Sequence, residues 1–364
     1  MSKILLSVLS SRLLFLAFAL LAVVLVPLNT GYIGQQSDPS APYLAWVWAN
    51  FDGRHFLDIA TNGYQGTNFA YFPLYPASIW LLSHVFSISS LYLGILMSSL
   101  SLLASMFVLY KIVRLDYKNN IASLALLFLG LFPLSFFYHS VYPDSLFLLL
   151  STTSFYFARK GSWALSGVFG ALTVLTRLSG VALIPALALE WYLQNRKLGA
   201  KGLLAPFLTL LGLVIYMVYL NLNFGDPLLF QKSMSAWQQQ NWVFPPQVIW
   251  RYIKIFWSVD KNLLIFWVAV LEFVSLFIYL ALSVYVWRKI RASYGVFMLV
   301  LLLLITFTGT FAGTPRYMLH LFPGFIGMAL LVSKNKKLRF IAVATFLILG
   351  VLLTALFTRG YFIA

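Results

Sequence analysis

An all-α polytopic membrane protein is the fold class this sequence predicts, on three observations. Of 364 residues, 61% are hydrophobic and only 9% charged, with a mean hydropathy of +0.88, which is more apolar surface than a soluble domain hides. Runs such as "LLFLAFALLAVVLVPL", "IASLALLFLGLFPLSFF", "GLLAPFLTLLGLVIYMVYL" and "FMLVLLLLITF" approach or exceed the length that crosses a bilayer core, roughly 20 helical residues. The Lys and Arg residues behind the net charge of +16 lie mainly in short clusters between those runs, the pattern of cytoplasmic loops. The bilayer is therefore the expected partner, and nucleic acid is not.

The elements follow in order. "KILLSVLSSRLLFLAFALLAVVLVPLNTG" has the basic start and apolar centre of a secretory signal, but no small-x-small cleavage site follows, so it reads as the first span. Six clusters set the orientation: Lys3 and Arg12; Lys111, Arg114 and Lys118; Arg159 and Lys160; Arg196, Lys197 and Lys201; Arg288, Lys289 and Arg291; Lys334, Lys336, Lys337 and Arg339. With all six inside, one apolar run between the first two clusters must fail to span. "FPLYPASIWLLSHVFS" is the expected exception, being short, proline-led and carrying His84, and it is read as tucked against the outer leaflet. About eleven spans remain, with the N-terminus inside and the C-terminus outside. Residues 1–364 read as one transmembrane domain. Its two long polar interruptions, 29–69 and 223–262, fall outside, and loops of that length in a compact protein are usually functional. There is no cysteine, which excludes thiolate metal sites, catalytic thiols and disulfides.

Each of the nine acids in such a chain needs a reason. Asp38, Asp52, Asp58, Asp144, Asp226 and Asp260 fall outside. Asp116 reads as the solvated partner of Lys111, Arg114 and Lys118, and Glu190 lies near the inner end of a span. Glu272 alone is deep in an apolar helix, where a structural hydrogen-bond partner is the favoured reading. Chemistry belongs to the outer face.

On that face "WVWANFDGRHFLDIATNGYQGTNFAYFPLYP" predicts an interfacial helix. Trp48, Asp52, His55 and Ile59 then form one stripe, while Asp58 is turned about 120° from Asp52. Asp52 and His55 are thus the pair able to act together. The competing reading makes Asp52 the cap of an amphipathic helix anchored by Trp46, Trp48, Phe51, Phe56 and Tyr64. In "FFYHSVYPDSLF", His139, Tyr142 and Asp144 stand at a turn, where Asp144 also suits an N-cap. "TRLSG" and "TFAGTPRYMLHLFPG" place Arg177, Arg316 and His320 at two further outer turns. An isolated Arg there reads either as a snorkelling structural group or as an anion-binding one.

"FDGRHFLDIATNGY" with "NFAYFPLYP", then "FFYHSVYPDSLF", "RLSG" and "PRYMLHLFP", in that order, resembles the PIG-V-like mannosyltransferases, the GPI mannosyltransferase II family of the GT-C class. The motifs cover about residues 46–76, 134–182 and 312–324. The resemblance implies a GT-C fold, a catalytic acid in the first extracytoplasmic loop, which Asp52 matches, and a donor sugar on a polyprenyl or dolichyl phosphate. Eukaryotic members more often carry Glu at the place of Asp144, and they are longer than this chain.

The residues fit that chemistry on their own account. No Asp-x-Asp pair is present for a metal-bound nucleotide sugar, and no glycine-rich phosphate loop, so neither a cofactor nor a divalent metal is required by any motif. A lipid-phosphate donor needs an apolar groove and a cation, for which Arg177 and Arg316 are expected, with His139, His320, Tyr142 and Arg54 as further donor or substrate contacts. The hydroxyl of a lipid or glycan acceptor needs a base. Asp52 is expected in that role, assisted by His55 and with Asp144 as a third catalytic candidate. Direct displacement would invert the anomeric carbon. Two other classes stay open: a lipid-linked oligosaccharide polymerase or ligase, and a polytopic transporter or flippase, which would show discontinuous helices and midplane polar groups.

Overall fold

The computed structural model describes residues 2–29, 41–194, 202–237, 239 and 241–363. Asp38, Arg196, Lys197 and Lys201 lie outside the described residues, as does the side chain of Lys3. All regular structure described is helical: α1 (Ser2–Leu25), α2 (Tyr43–Trp46), α3 (Asp52–Asn62), α4 (Leu74–Phe86), α5 (Ser90–Val113), α6 (Asn119–Leu131), α7 (Asp144–Arg159), α8 (Trp163–Thr176), α9 (Leu183–Gln194), α10 (Leu204–Phe224), α11 (Leu229–Ser233), α12 (Pro245–Ser258), α13 (Leu264–Lys289), α14 (Ala292–Thr306), α15 (Thr314–Tyr317), α16 (Phe322–Val332) and α17 (Lys336–Thr358).

Four of these, α5, α10, α13 and α17, are long and apolar enough to cross a membrane, and the bent pair α15–α16 makes a fifth if taken as one span. The expected count of about eleven is not reached by that measure. Three of the helices that fall short end at the polar motifs: α6 stops before the turn 132–143, α8 at Arg177, and α14 before the loop 307–313. Every residue from Phe132 to Tyr142 is buried, so this turn sinks into the bundle, whereas the turns at Arg177 and at 307–313 are mostly half-buried. At 13 residues, α4 is short of the roughly 20 needed, but α6 and α8 are about as short, so length does not single out the run led by prolines.

Small residues bring the long helices together. A Cβ on Gly170 would stand 2.1 Å from the Thr209 hydroxyl, and one on Gly212 would stand 2.3 Å from the Ala171 carbonyl oxygen. Helices α8 and α10 therefore approach at backbone contact, which favours association where lipid and side chains are equally apolar.

The polar groups gather at two ends of the bundle, and α7 measures the distance between them. It begins at Asp144, beside Arg177, Arg316 and His320, and ends at Arg159, about 22 Å away at 1.5 Å per residue. At the far end Arg159 Nη1 and Nη2 each stand 2.7 Å from a different oxygen of Asp116. Asp116 is thus the fork partner of Arg159, not of Lys111, Arg114 or Lys118, because α7 brings a planar guanidinium to it. Glu190, fully buried near the C-terminal end of α9, accepts from Arg291 Nε at 2.7 Å and Nη2 at 2.6 Å, from Ser293 Oγ at 2.5 Å and from Gln194.

Three expectations change. Arg12 is not in an inner loop: its guanidinium donates to the Ser135 carbonyl at 2.5 Å, the Ser135 hydroxyl at 3.1 Å and the Gly130 carbonyl at 3.2 Å, inside the bundle. A charge ten residues into an apolar helix is held there because the sunken turn after α6 offers it acceptors. The expected aromatic anchors are core groups, since Trp46, Trp48 and Phe56 are buried against Tyr43, His139 and Tyr71 respectively. Trp48 also lies in a 3₁₀ turn before α3, so the helical stripe begins at Asp52. Glu272 does serve as a structural partner: it accepts from the Tyr252 hydroxyl at 2.6 Å and from the Gly313 amide at 3.3 Å, tying α13 to the loop that carries Arg316.

Removing one member of a buried ion pair leaves the other without its counter-charge, at about 3–5 kcal/mol. Glu190→Ala is expected to lose stability on that scale, whereas Asp226→Ala, at an exposed pair with Lys232, is expected to change little. Thermal unfolding of both variants in the same detergent checks the contrast.

Candidate functional site

The site is assembled from four chain segments, each brought in by a break in helical structure. Phe51, immediately before α3, sits at φ 57° and ψ −118°, a backbone region that costs a non-glycine residue of order 1–3 kcal/mol. Its ring packs on Phe357 and Phe362 at 5.7 Å each, which holds the turn and starts the helix at Asp52. Gly53 lets that helix start close against the second motif, because a Cβ there would lie 3.2 Å from the Val141 carbonyl oxygen and 3.4 Å from the Tyr142 ring. The two motifs are then bonded together. Val141 N–H donates to Trp48 O at 2.8 Å, Tyr142 OH donates to Asn50 O at 2.6 Å, and Asn50 Nδ2 donates to Phe357 O at 2.9 Å.

Arg316 and His320 arrive on α15 and the turn after it, where the chain bends by 89° into α16 and so lies across the bundle. The Arg316 guanidinium is stacked between the Phe137 and Tyr142 rings, 5.3 Å from each centroid. Its Nη1 donates to Asp52 Oδ2 at 3.0 Å and its Nε stands 3.8 Å from Asp144 Oδ1. Arg177, at the extended C-terminus of α8, places Nη1 3.9 Å from the same Asp144 oxygen and lies over the Tyr317 ring. His320 Nε2 is 2.9 Å from Asp144 Oδ1, close enough to polarise it but without the alignment of a hydrogen bond.

Five of the expected residues, Asp52, Asp144, Arg177, Arg316 and His320, therefore converge, although they are up to 268 positions apart in sequence. Neither arginine is an isolated cation. The two acids also differ sharply in access: the Asp144 side chain is fully buried, while that of Asp52 is 30% exposed. Asp144 is the first residue of α7, and its side chain does not cap the helix, so the capping explanation for it does not hold. Tyr142 joins the cluster through its ring.

The remaining expected residues stand elsewhere. His139 Nδ1 faces Arg12 at 3.0 Å, and since a guanidinium can only donate, that nitrogen is the acceptor. His139 thus belongs to the buried Arg12 contact and not to the cluster. Arg54 is exposed on α3 and makes no contact with the cluster. His55 shares the face of Asp52 but pairs with Asn68, Nδ1 to Oδ1 at 2.8 Å, and its ring stacks on Tyr71 at 4.9 Å. Asp58 does not reach Asp52, as its position on the helix dictates. It is half-buried, however, and it accepts from Asn62 and Asn68 at 2.8 Å each.

Tyr71 was not anticipated. Its hydroxyl donates to Asp52 Oδ1 at 3.2 Å, so both Asp52 oxygens are engaged. Burial first, and then the neighbouring Asp52 carboxylate, hold this phenol well above its ordinary pKa. Tyr71 lies within the motif "NFAYFPLYP", but nothing in the sequence separates it from neighbouring aromatics. Among the described residues no group of three or more His, Asp or Glu is placed to hold a metal ion.

Neither a protein-family model nor a curated protein matches the chain. Among solved structures, the crystal structure of the Archaeoglobus fulgidus oligosaccharyltransferase in the apo form aligns with a TM-score of 0.43 at 12% identity. The alignment covers 97% of this chain and 56% of that one, so the chain spans just over half of its length.

Asp144 faces two guanidinium groups and one imidazole from a fully buried position. Asp144→Asn keeps the shape and removes the counter-charge, and is expected to destabilise the fold by about 3–5 kcal/mol. Thermal unfolding of the purified variant checks this, and an unchanged midpoint would mean that the two arginines do not depend on Asp144.

Proposed function

We propose that the protein is an integral membrane glycosyltransferase of the GT-C class. It transfers a mannosyl or similar hexosyl residue, with inversion, from a polyprenyl or dolichyl phosphate to a lipid-linked or glycan acceptor on the extracytoplasmic face, in the manner of the PIG-V-like enzymes. The observation that carries this reading is the chain Asp52–Arg316–Asp144–Arg177, in which a partly open carboxylate and two guanidinium groups are held around one buried carboxylate at one end of an apolar bundle.

The roles divide by access. Asp52 accepts the proton of the acceptor hydroxyl as its oxygen attacks the anomeric carbon, and the bond to the phosphate oxygen breaks with its electron pair leaving on the phosphate. General-base catalysis of this kind contributes about 10² to 10⁴-fold. Asp144 is fully buried against cations, so it is assigned as a positioning residue. It fixes Arg177 and Arg316, whose remaining N–H groups are the donors for the leaving phosphate. A transport reading has one observation in its favour, the 89° break between α15 and α16, because discontinuous helices are a feature of transporters. Transport leaves the phosphate–sugar bond intact, so the two readings differ in their chemical product.

Purified protein incubated with polyprenyl-phosphate-mannose and an acceptor is expected to release the lipid phosphate. Asp52→Asn should lower turnover at saturating donor by roughly 10² or more while donor binding survives. Arg177→Lys or Arg316→Lys should weaken donor binding in a folded protein, since the planar fork is lost. An active, well-folded Asp52→Asn would remove Asp52 as the base. Sidedness has its own test. Single cysteines at the exposed positions Gln65 and Asn120, one near each polar cluster, should be labelled from the extracytoplasmic and cytoplasmic sides respectively.

A further inference from the structure

Asp58, Asn68 and His55 form a hydrogen-bonded line in which each donor and acceptor is set by the one before it. An ionised carboxylate only accepts hydrogen bonds, so Asp58 Oδ2 at 2.8 Å requires the Asn68 amide NH₂ on its side. That turns Asn68 Oδ1 toward His55 Nδ1, also at 2.8 Å, and a carbonyl oxygen again only accepts. His55 must therefore carry a proton on Nδ1, and in the neutral ring its Nε2 holds a lone pair. The line is well anchored: Asn68 is buried, and the second Asp58 oxygen accepts from Asn62 at 2.8 Å. His139 is the internal contrast, because Arg12 donates to its Nδ1 and leaves the proton on Nε2.

The surroundings of that lone pair are specific. His55 is three residues after Asp52 on α3, so the two side chains are neighbours on one helix face. The His55 ring lies nearly parallel to Tyr71, at 18°, and the Tyr71 hydroxyl donates to Asp52. Trp237, from the second long loop, stands edge-on to both rings, 6.3 Å from His55 and 5.8 Å from Tyr71. Among the described residues none donates to Nε2. An acceptor nitrogen beside two aromatic rings and one helical turn from a carboxylate suits a sugar, whose hydroxyls donate while its C–H faces lie against aromatic side chains.

We propose that His55 Nε2, Tyr71 and Trp237 form a sugar-hydroxyl subsite beside Asp52, with Asp58 and Asn68 as positioning residues that hold His55 in its Nδ1–H tautomer. The ligand class rests on the glycosyl-transfer reading above, whereas the tautomer does not. The hydroxyl belongs either to the acceptor or to the transferred sugar, and the two sources are separable.

The test is nitrogen-15 NMR of histidine-labelled full-length protein in detergent, where only 4 histidines contribute and His55→Gln assigns the signal. His55 is expected as neutral Nδ1–H and His139 as Nε2–H, and a wild-type His55 protonated at Nε2, alone or on both nitrogens, overturns the proposal without any turnover measurement. Asp58→Ala and Asn68→Leu should release His55 to mixed tautomers, and retention of pure Nδ1–H in both would also overturn it. Titration with polyprenyl-phosphate-mannose and, separately, octyl α-mannoside as an acceptor stand-in should move the Nε2 resonance with one of them, and no shift with either overturns the subsite. In turnover, Asn68→Leu should raise KM for that same sugar about tenfold with kcat changed less than threefold, the opposite of the split for Asp52→Asn. Loss of kcat alone would assign Asn68 to the chemical step and overturn the positioning role.

Discussion

One guanidinium, that of Arg316, joins the parts of this molecule that the sequence keeps apart. It lies between the Phe137 and Tyr142 rings and reaches Asp52 on one side and Asp144 on the other. Two carboxylates brought this close repel unless a cation stands between them, and a cation this buried is costly unless carboxylates surround it. The helix breaks at Phe51, at residues 132–143, at Arg177 and at 307–313 all deliver a partner to that charge balance. Interrupting helices inside an apolar bundle is expensive, because backbone amides and carbonyls lose their regular partners. Here the freed groups are used elsewhere: Val141 N–H goes to Trp48 O, and the Asn50 and Phe357 carbonyls take the Tyr142 hydroxyl and the Asn50 amide.

Glu272 belongs to the same economy of buried polar groups. Its carboxylate holds the Tyr252 hydroxyl and the Gly313 amide, and the Tyr252 hydroxyl in turn accepts from Phe311 N–H. The loop preceding Arg316 is thereby fixed to α12 and α13, so the position of the cation is set from outside the site as well as within it. At the other end of α7, Arg159, Asp116, Glu190 and Arg291 tie the ends of α7, α9 and α14 together. The bundle is thus braced by charge at two ends and packed by apolar contact between them. This arrangement suits a protein whose middle faces lipid, where charge without a partner is most costly.

The difference in access between the two acids organises the proposed chemistry. Asp144 lies closed off among cations, while Asp52 is open enough to meet a substrate and is engaged on both oxygens. A carboxylate held by a guanidinium and a phenol is well oriented, and the second long loop approaches it through Trp237. The first and second polar loops, far apart in sequence, therefore meet at the face carrying Asp52 and His55.

The sequence by itself determined the composition-driven facts: an apolar helical bundle, the concentration of suspect residues in a few motifs, and five members of the cluster by number, Asp52, Asp144, Arg177, Arg316 and His320. Charge is rare in this chain, so each charged residue in an apolar run stands out. The 120° offset of Asp58 from Asp52 was equally legible, because helical geometry is local. What only the tertiary structure decided depends on which turns sink into the bundle. A hydropathy profile does not show how far a turn sinks between apolar runs, so about eleven runs read as spans although several of the helices they form, such as α6, α8 and α14, are only 13, 14 and 15 residues long. The same blindness placed Arg12 in a loop, made surface anchors of Trp46, Trp48 and Phe56, assigned His139 to the cluster and left Asp58 as a bystander. Tyr71 and Asn68 carry no charge and sit among similar residues, so their roles arise only from the partners that the fold puts within 3.2 Å.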